Sequence, residues 1–435
     1  MKSHNPHKAE KKIAVIASAA VIENTKIISP ALIIIENGVI TKISEHIPKK
    51  ALSHARILNP HKAENTTRAG AMQKLMPKRV DTPSLVLKDT VLLPGFVNAH
   101  CHLELTNLGP LKEKKFVPWI KTLLEKKQGQ RKVEVKNAIR TGIRLNLLSG
   151  CTTIIDHISF DTPLSYYNDV QVRVIGFGEV VGTRTEMSQF ALRKIRDSLT
   201  HAPIPFYQTL HSVHAVSPEV LKTVLGKKYK ALSLHLAESR EECDYFKYRA
   251  GPLWLFIAAL RPDIHTSPLH AADSAVKFIH HHKHSLHHAL VIHANYTDSK
   301  DIKIMATWPN ICVVHCPGSF DFFGHDSFPF KKYKENKIPI ALGTDSIASN
   351  STLNFLQETR LFLKRHPKTN LFEFLPMITT NACHAIGLKK VGMIKEGYRA
   401  DMVGFKLRGT KEIIDLFTSR DKVDVLIYGG NRHSL

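Results

Sequence analysis

Leu-Leu-Pro-Gly-Phe-Val-Asn-Ala-His-Cys-His, residues 92–102, opens as an apolar β-rich run, Leu92 to His100, and closes on two histidines one residue apart. Successive side chains on a strand alternate faces, so His100 and His102 point the same way and can reach one metal ion from one side. Cys101, between them, faces away and reads as a small buried hydrophobe. Seven more runs of this kind follow, at Thr152–His157, Val172–Val180, Pro205–Val213, Ala231–Ala237, Ala289–Asn295, Ile311–Cys316 and Ile338–Gly343. Their spacing leaves room for helices, and apolar runs alternating with helical segments signal a parallel sheet covered by helices. One connecting helix is legible by itself: Val135, Ile139, Ile143 and Leu147 recur every four residues, with Gly150 placed to cap it. Eight such units between about Leu92 and His384 predict an α/β fold, a (β/α)8 barrel of the TIM type, whose usual size is ~250 residues. A doubly wound sheet is the alternative.

Outside this core the pattern changes. Ala14 to Val21 reads as a first strand, followed by the run Ile33 to Ile40, whose Asn37-Gly38 pair is a hairpin signal. Lys8, Lys11 and Lys12 ahead of the apolar stretch Ile13 to Ile22 also resemble a short export signal, but a strand used by the fold cannot be cleaved away. Residues 53–81 are basic and polar with little periodicity, as expected of an inserted excursion. Beyond His384, short strand patterns return at Asp401 to Phe405 and Val423 to Tyr428. The expected organisation is a barrel at 92–384 and a small β domain assembled from both chain ends, 1–91 and 385–435.

Across 435 residues, 43% hydrophobic and 23% charged content excludes collagen-like, wholly disordered and multi-span membrane chains. No run approaches the ~18 apolar residues of a membrane helix, so no membrane is expected. Lys and Arg number 61 against 38 Asp and Glu, a formal +23 spread along the chain without a basic block or nucleic-acid motif. No nucleic acid is therefore expected, although such a balance can steer an acidic small molecule. Six cysteines without Cys-x-x-Cys spacing suit a reducing cytoplasm better than a disulfide framework.

The histidine pair gains meaning from its company. His235 ends the fifth run, His293 the sixth, and Asp345 follows the eighth, each at the strand end where barrel active sites are built. Imidazole and carboxylate suit one divalent ion, Zn²⁺ or Fe²⁺. Glu238, three residues beyond His235, is displaced into the cavity, where a carboxylate can shuttle a proton between water and a leaving group. His211 ends the fourth run and would orient or polarise a substrate, whereas His214 is open between the cavity and a structural role.

Taken in order, Leu-Pro-Gly-Phe-Val-Asn-Ala-His-Cys-His-Leu-Glu-Leu (93–105), His-Leu-Ala-Glu-Ser (235–239), Val-His-Cys-Pro-Gly-Ser (314–319) and Gly-Thr-Asp-Ser-Ile-Ala-Ser-Asn (343–350) resemble the amidohydrolase superfamily. Within it they look most like the branch of cytosine deaminases, chlorohydrolases and aminodeoxyfutalosine deaminases. The tail at 392–403 is similar to the returning strand of that family's composite β-sandwich. The resemblance implies metal ligands at His100, His102, His235 and Asp345, a proton shuttle at Glu238, and a water- or substrate-polarising histidine at His293. It also implies that Asp345 doubles as a base, and that His211, Glu104 and Ser346 contact substrate. The reaction implied is attack of water on an amino-substituted ring carbon with release of ammonia.

Phe323-Gly324-His325 with Phe328-Pro329 resembles the aminodeoxyfutalosine-type segment, which implies an aminopurine nucleoside that feeds menaquinone synthesis. Gly318 and Phe320 stand where relatives often carry Arg and Asn, and His-Ser-Val-His (211–214) replaces His-Ala-Pro-Tyr. These departures bear on the substrate more than on the metal chemistry. A chlorohydrolase or a guanine- or cytosine-type hydrolase is the enzymatic alternative. A catalytically silent barrel scaffold is the other, and the intact ligand pattern with Glu238 argues against it. Further copies of the chain are an allowed partner besides the small-molecule substrate.

Among the remaining features, the histidines at 280–288 read as a solvated helix face, and Trp254 and Phe256 as helix core. No Gly-x-x-x-x-Gly-Lys loop supports phosphoryl transfer.

Overall fold

The computed structural model of the chain describes residues 12–47, 55–57, 84–261, 264, 272–283 and 286–434. Two compact units emerge, one from residues 1–95, 393–413 and 424–435, the other from residues 96–392 and 414–423.

The first unit is built on one sheet. Its strands are β1 (Lys12–Ile22), β2 (Lys26–Ile28), β3 (Ala31–Glu36), β4 (Val39–Ser44), β5 (Ala55–Ile57) and β6 (Ser84–Pro94), joined late in the chain by strands at Met402–Lys406, Val425–Tyr428 and Asn431–His433. β1 lies between β3, antiparallel, and β6, parallel, and its interior position explains why Lys-Ile-Ala-Val-Ile-Ala-Ser-Ala-Ala-Val-Ile reads as a continuous apolar run rather than an alternation. The apolar stretch near the N-terminus is thus a strand of the fold. Asn37 and Gly38, at φ 50° and 79°, make the expected hairpin turn between β3 and β4. Of the basic excursion at 53–81, only β5 falls within the described residues, and it is a strand parallel to β6 rather than irregular chain.

The first sequence run proves to be two strands in two units. β6 continues to Pro94, which pairs with Met402, and the Gly95 N–H bonds the Asp401 carbonyl. Only at Phe96 does the chain enter the second unit, so the boundary expected at 91/92 falls inside β6. At the other end, residues 414–423 join the second unit because Phe417 packs against Phe96 and Phe374, with ring centroids 5.7 and 5.1 Å away.

The second unit is α/β with two parallel four-stranded sheets. One contains β7 (Phe96–Cys101), β8 (Cys151–Ser159), β9 (Arg173–Val180) and β10 (Phe206–Leu210); the other contains β11 (Leu232–Leu236), β12 (Ala289–His293), β13 (Ile311–His315) and β14 (Ile340–Leu342). Parallel bridges at Cys101↔Asp345 and Ser212↔His235 run between them. One apolar cluster draws on both sheets, including Val97, Ile155, Phe177, Leu290, Ile292 and Val314. The late strands of the first unit are β15 (Met402–Lys406), β16 (Val425–Tyr428) and β17 (Asn431–His433). The helix read from the four-residue repeat spans Lys132–Leu148 and buries Ile139 and Ile143; Gly150, at φ 94°, closes it just before β8. Among the described residues, no helix is long and apolar enough to cross a membrane.

Gly343, just past β14, lies against the backbone of His100: a Cβ there would sit 2.9 Å from the His100 carbonyl oxygen and 3.0 Å from its nitrogen. Backbone cannot swing aside as a side chain can. Gly343→Ala should therefore destabilise the protein by about 1–3 kcal/mol, the usual cost of overpacking, as read by denaturant unfolding. An unchanged midpoint would show that the two segments separate freely.

Candidate active site

The ends of six parallel strands deliver the polar groups. β7 leads to His100 and His102, β9 to Glu179, β10 to His211, β11 to His235, β12 to His293, and β14 to Asp345. Asp345, Ala237, His293 and Ala294 all hold φ between 48° and 65°, a region that side-chain-bearing residues adopt at a cost. Such backbone turns the chain sharply as it leaves the sheet, and all four lie at strand ends that carry candidate site residues.

Ring-nitrogen atoms of His100, His102 and His235 lie within 4.8 Å of one another, and the three residues are buried. Their other ring nitrogens are engaged. His102 Nδ1 donates to the His157 carbonyl at 3.1 Å, and His235 Nδ1 to the His211 carbonyl at 2.9 Å. His100 Nδ1 faces His157 Nδ1 at 2.9 Å, while His157 Nε2 lies 2.6 Å from Ser233 Oγ. With His157 donating to Ser233, its Nδ1 accepts from His100, and all three candidate ligands keep Nε2 unprotonated. His100 Nε2 is buried without a hydrogen-bond partner, 3.5 Å from Asp345 Oδ1, and His102 Nε2 is 3.8 Å from the same oxygen. An orphaned buried nitrogen, two neighbouring lone pairs and a carboxylate facing one point fit a single divalent ion.

Burial is the largest influence on His100, His235, Asp345, Glu238 and His293, and it acts with or against their neighbours. It lowers His100, and it lowers His235 well below the ordinary imidazole value, which keeps both rings neutral. For Asp345 burial pushes the carboxyl up, but His100, His293 and His102 outweigh it and hold the group well below the carboxylate range. Ser319 and Ser349 donate to its Oδ2 at 2.8 and 2.7 Å. Glu238 goes the opposite way: burial raises it well above the carboxylate range, and Asp345 and Glu242 push in the same direction. Its Oε1 stands 3.5 Å from His293 Nε2, and burial lowers His293 to about 3.

These groups floor a cavity of about 590 Å³ with an apolar wall of Phe116, Trp119, Leu123, Phe256, Ile257 and Leu260. Phe256 thus faces the cavity rather than the core expected of it, while Trp254 is buried. Ser346 and His211 line the cavity. His214 also lines it, with Nε2 3.3 Å from Ser212 Oγ, and burial lowers it to about 3. Glu104 is at the wall, but its carboxylate is already engaged by Lys127 at 2.8 Å and by Ser159 and Thr162. Phe323 packs edge-on against Trp119 at 5.2 Å, and Tyr296 Oη lies 3.0 Å from His325 Nδ1. In the histidine-rich segment His281 is exposed, but His282 Nδ1 bonds the Phe278 carbonyl at 2.9 Å and His287 stacks on Tyr229; His284 lies outside the described residues.

Two candidate site residues escaped the sequence reading. Glu179, 5% exposed, sits among His211, His235 and His102 at 3.0, 3.7 and 3.9 Å, and His157 joins His100 to Ser233. The signal for both was a polar residue at or next to the end of an otherwise apolar run, the same signal that marked His235 and His293.

The amidohydrolase family model matches residues 91–432, and the chain belongs to that family. The family is metal-dependent. The aminodeoxyfutalosine deaminase of Nitratiruptor is 27% identical over 345 residues, covering 76% of this chain and 82% of the relative. The 5-methylthioadenosine/S-adenosylhomocysteine deaminase of Pyrococcus furiosus is also 27% identical, over 77% of this chain and 80% of its own. Among solved structures, the Helicobacter pylori aminofutalosine deaminase in complex with methylthio-coformycin matches with a TM-score of 0.76 at 19% identity, covering 97% of this chain and all (100%) of the other.

The Glu179–His211 pair carries a pH signature. For His211 burial pulls downward, but Glu179 outweighs it and raises the imidazole; for Glu179 burial pulls upward, but His211 and His102 hold it well below the ordinary range. A raised His stabilises the fold below its unfolded value and loses that effect as pH rises through its folded value. A depressed Glu stabilises above its unfolded value and loses the effect as pH falls through its folded one. The pair is therefore worth most between about pH 4.5 and 6.5, the ordinary values of the two groups. In metal-depleted protein, Glu179→Gln should cost about 1–3 kcal/mol in that window, the range for a hydrogen bond to a charged group, and less at higher pH. A difference between wild type and variant that does not vary with pH would contradict the ionised pairing.

Proposed function

We propose that the chain is a metal-dependent hydrolytic deaminase of an aminopurine nucleoside such as aminodeoxyfutalosine. The chain is a hydrolase acting on carbon–nitrogen bonds, as its family and deaminase relatives have it. The observation that carries the finer reading is the convergence of three imidazole nitrogens and the Asp345 carboxylate on one point, with Glu238 and His293 beside it. In this reading His100, His102, His235 and Asp345 hold one Zn²⁺ or Fe²⁺, which when bound supplies Lewis-acid activation of water.

The chain's own groups divide the proton work. Asp345, held well below the carboxylate range and bonded at Oδ2 by the Ser319 and Ser349 hydroxyls, accepts a proton from the attacking water. Glu238, which burial and nearby carboxylates push toward its protonated form, donates that proton to the ring nitrogen as the carbon becomes tetrahedral, then takes up the proton of the new hydroxyl and passes it to the departing amine, and the proton left on Asp345 restores Glu238. Water adds, ammonia leaves, and the ring carbon ends as a carbonyl. His293, neutral, orients the water or the ring, while His211 and Ser346 face the substrate. Glu104 acts on the substrate side through its pairing with Lys127.

The same reading takes β7–β14 as the strands of a (β/α)8 barrel and the nine-stranded sheet from both chain ends as the family's composite β-sandwich. The substrate is a small molecule, and the setting proposed is the cytoplasm. No nucleic-acid partner is invoked, and self-association is compatible with it.

Ammonia release from a panel of 6-aminopurine nucleosides, plain and 5′-substituted, tests the reaction on metal-loaded protein. Release of chloride from a chlorinated triazine without ammonia from any nucleoside would replace the deaminase by a chlorohydrolase. His235→Ala, made in a chain whose histidines at 280–288 are replaced, should lose the bound ion by elemental analysis, whereas the parent keeps about one per chain. Full metal content in that variant would remove His235 from the ligand set. Glu238→Gln should lower turnover by ~10²–10⁴-fold, the usual worth of general acid–base catalysis, with metal content intact. Near-normal turnover would hand the proton traffic to another group.

A further inference from the structure

Glu238 sits on a corner whose shape is not its own doing. β11 ends at Leu236, and Ala237 then takes a left-handed backbone, φ 49°, which a residue with a Cβ keeps only where its surroundings impose it. Glu242, in the first turn of the helix Arg240–Tyr248, is 1% exposed and folds its carboxylate back beneath this corner. Its Oε1 accepts the Ala237 N–H at 3.0 Å and its Oε2 accepts the Glu238 N–H at 2.8 Å. The Glu242 side chain is held in turn by its helix, whose N-cap Ser239 accepts the Glu242 N–H at 3.2 Å. From the other side, Asn295 Nδ2 donates to the Glu238 carbonyl at 3.1 Å, and the Tyr296 N–H to the Ala237 carbonyl at 3.0 Å. Both peptide groups flanking Glu238 are therefore gripped by groups that come from different strand–helix connections.

A buried carboxylate is costly to keep, and the nearest ring nitrogen, His214 Nδ1, is 3.9 Å away and belongs to a neutral imidazole. The two backbone amides are what Glu242 is spent on, and they lie at the one corner that aims Glu238 toward His293. We propose that Glu242 and Asn295 are positioning residues for Glu238, clamping its main chain from both sides so that its carboxyl stands ready in the cavity without reorganisation. The inference rests on the proton-carrying role proposed above for Glu238. Neither residue touches the reacting atoms; each acts through the backbone of the one that does.

The test is a double-mutant cycle on the metal-loaded enzyme. In Glu242→Gln one oxygen still accepts an N–H, but the amide presents its own donors to the second. Turnover should fall by ~10–100-fold, the scale of a displacement of about 1 Å at a catalytic group, with KM little changed and metal content intact. In a Glu238→Gln background the same substitution should have no further effect, because the group it positions is already gone. Asn295→Ala should show the same dependence on Glu238, and it decides the matter if Glu242→Gln does not fold. The clamp is refuted if Glu238→Gln is crippled while Glu242→Gln and Asn295→Ala turn over like wild type. It is equally refuted if their losses are the same whether or not Glu238 is present, for that would place their role elsewhere. Normal turnover in Glu238→Gln alone would instead remove the proton-carrier reading on which the clamp rests.

Discussion

A ring nitrogen taken out of water needs a partner, and the way that need is met fixes the candidate site. His102 and His235 give their Nδ1 hydrogens to main-chain carbonyls of adjacent strands, those of His157 and His211. The position of each Nε2 is therefore tied to the main chain of a neighbouring strand or of the first residue beyond it. Register in a buried parallel sheet is strongly specified, because a shift of one residue would turn every side chain to the opposite face. The bridges Cys101↔Asp345 and Ser212↔His235 extend the same control to the segments just past the strand ends. Preorganisation at the site is in this sense a property of the sheets.

The two carboxylates of the proposed chemistry are equally buried and chemically opposite. Asp345 faces imidazoles and serine hydroxyls, which favour its ionised form. Glu238 faces other carboxylates, Asp345 among them, and those disfavour a second negative charge. Two acids a short distance apart are thus driven to different protonation states by their neighbours alone, which is how one site can hold a base and an acid at the same pH. No Lys or Arg is among the main influences on either group.

How far the sequence was legible follows from the same physics. His100 and His102 could be paired because a strand repeats every two residues, and His235, His293 and Asp345 stood out because each closed or followed an apolar run. His157 also closes such a run and Glu179 stands one residue from the end of another, yet both make lateral contacts to residues on other strands, which one-dimensional spacing does not encode. The boundary between β6 and β7 was hidden for a different reason. Both strands are apolar, only Gly95 separates them, and what ends β6 is its pairing with a strand some 300 residues later in the chain. Phe256 reads as core in any helical pattern; only the position of its helix beside the cavity makes it wall.

Two of the departures expected from the resemblance, at Gly318 and Phe320, sit in packed surroundings. Gly318 donates its N–H to Glu358 Oε2 at 2.7 Å, and Asn350 donates to Oε1 of the same carboxylate at 2.7 Å, so Gly318 and Asn350 are drawn together until a Cβ at 318 would collide with the amide. A long basic side chain at 318 would have to break this arrangement, which also bonds Asn350 Nδ2 to the Thr344 carbonyl directly before Asp345. Phe320, two residues on, is buried beside His315 and His325 and under the guanidinium of Arg365. At both positions the residue present belongs to the support around Asp345 and the 323–325 segment, and neither lines the cavity. Changes of this kind leave the floor groups in place while altering how the segments above them are held. That separation, with chemistry at the strand ends and selectivity in the loops and helices beyond them, is how one parallel scaffold can serve different ring substrates.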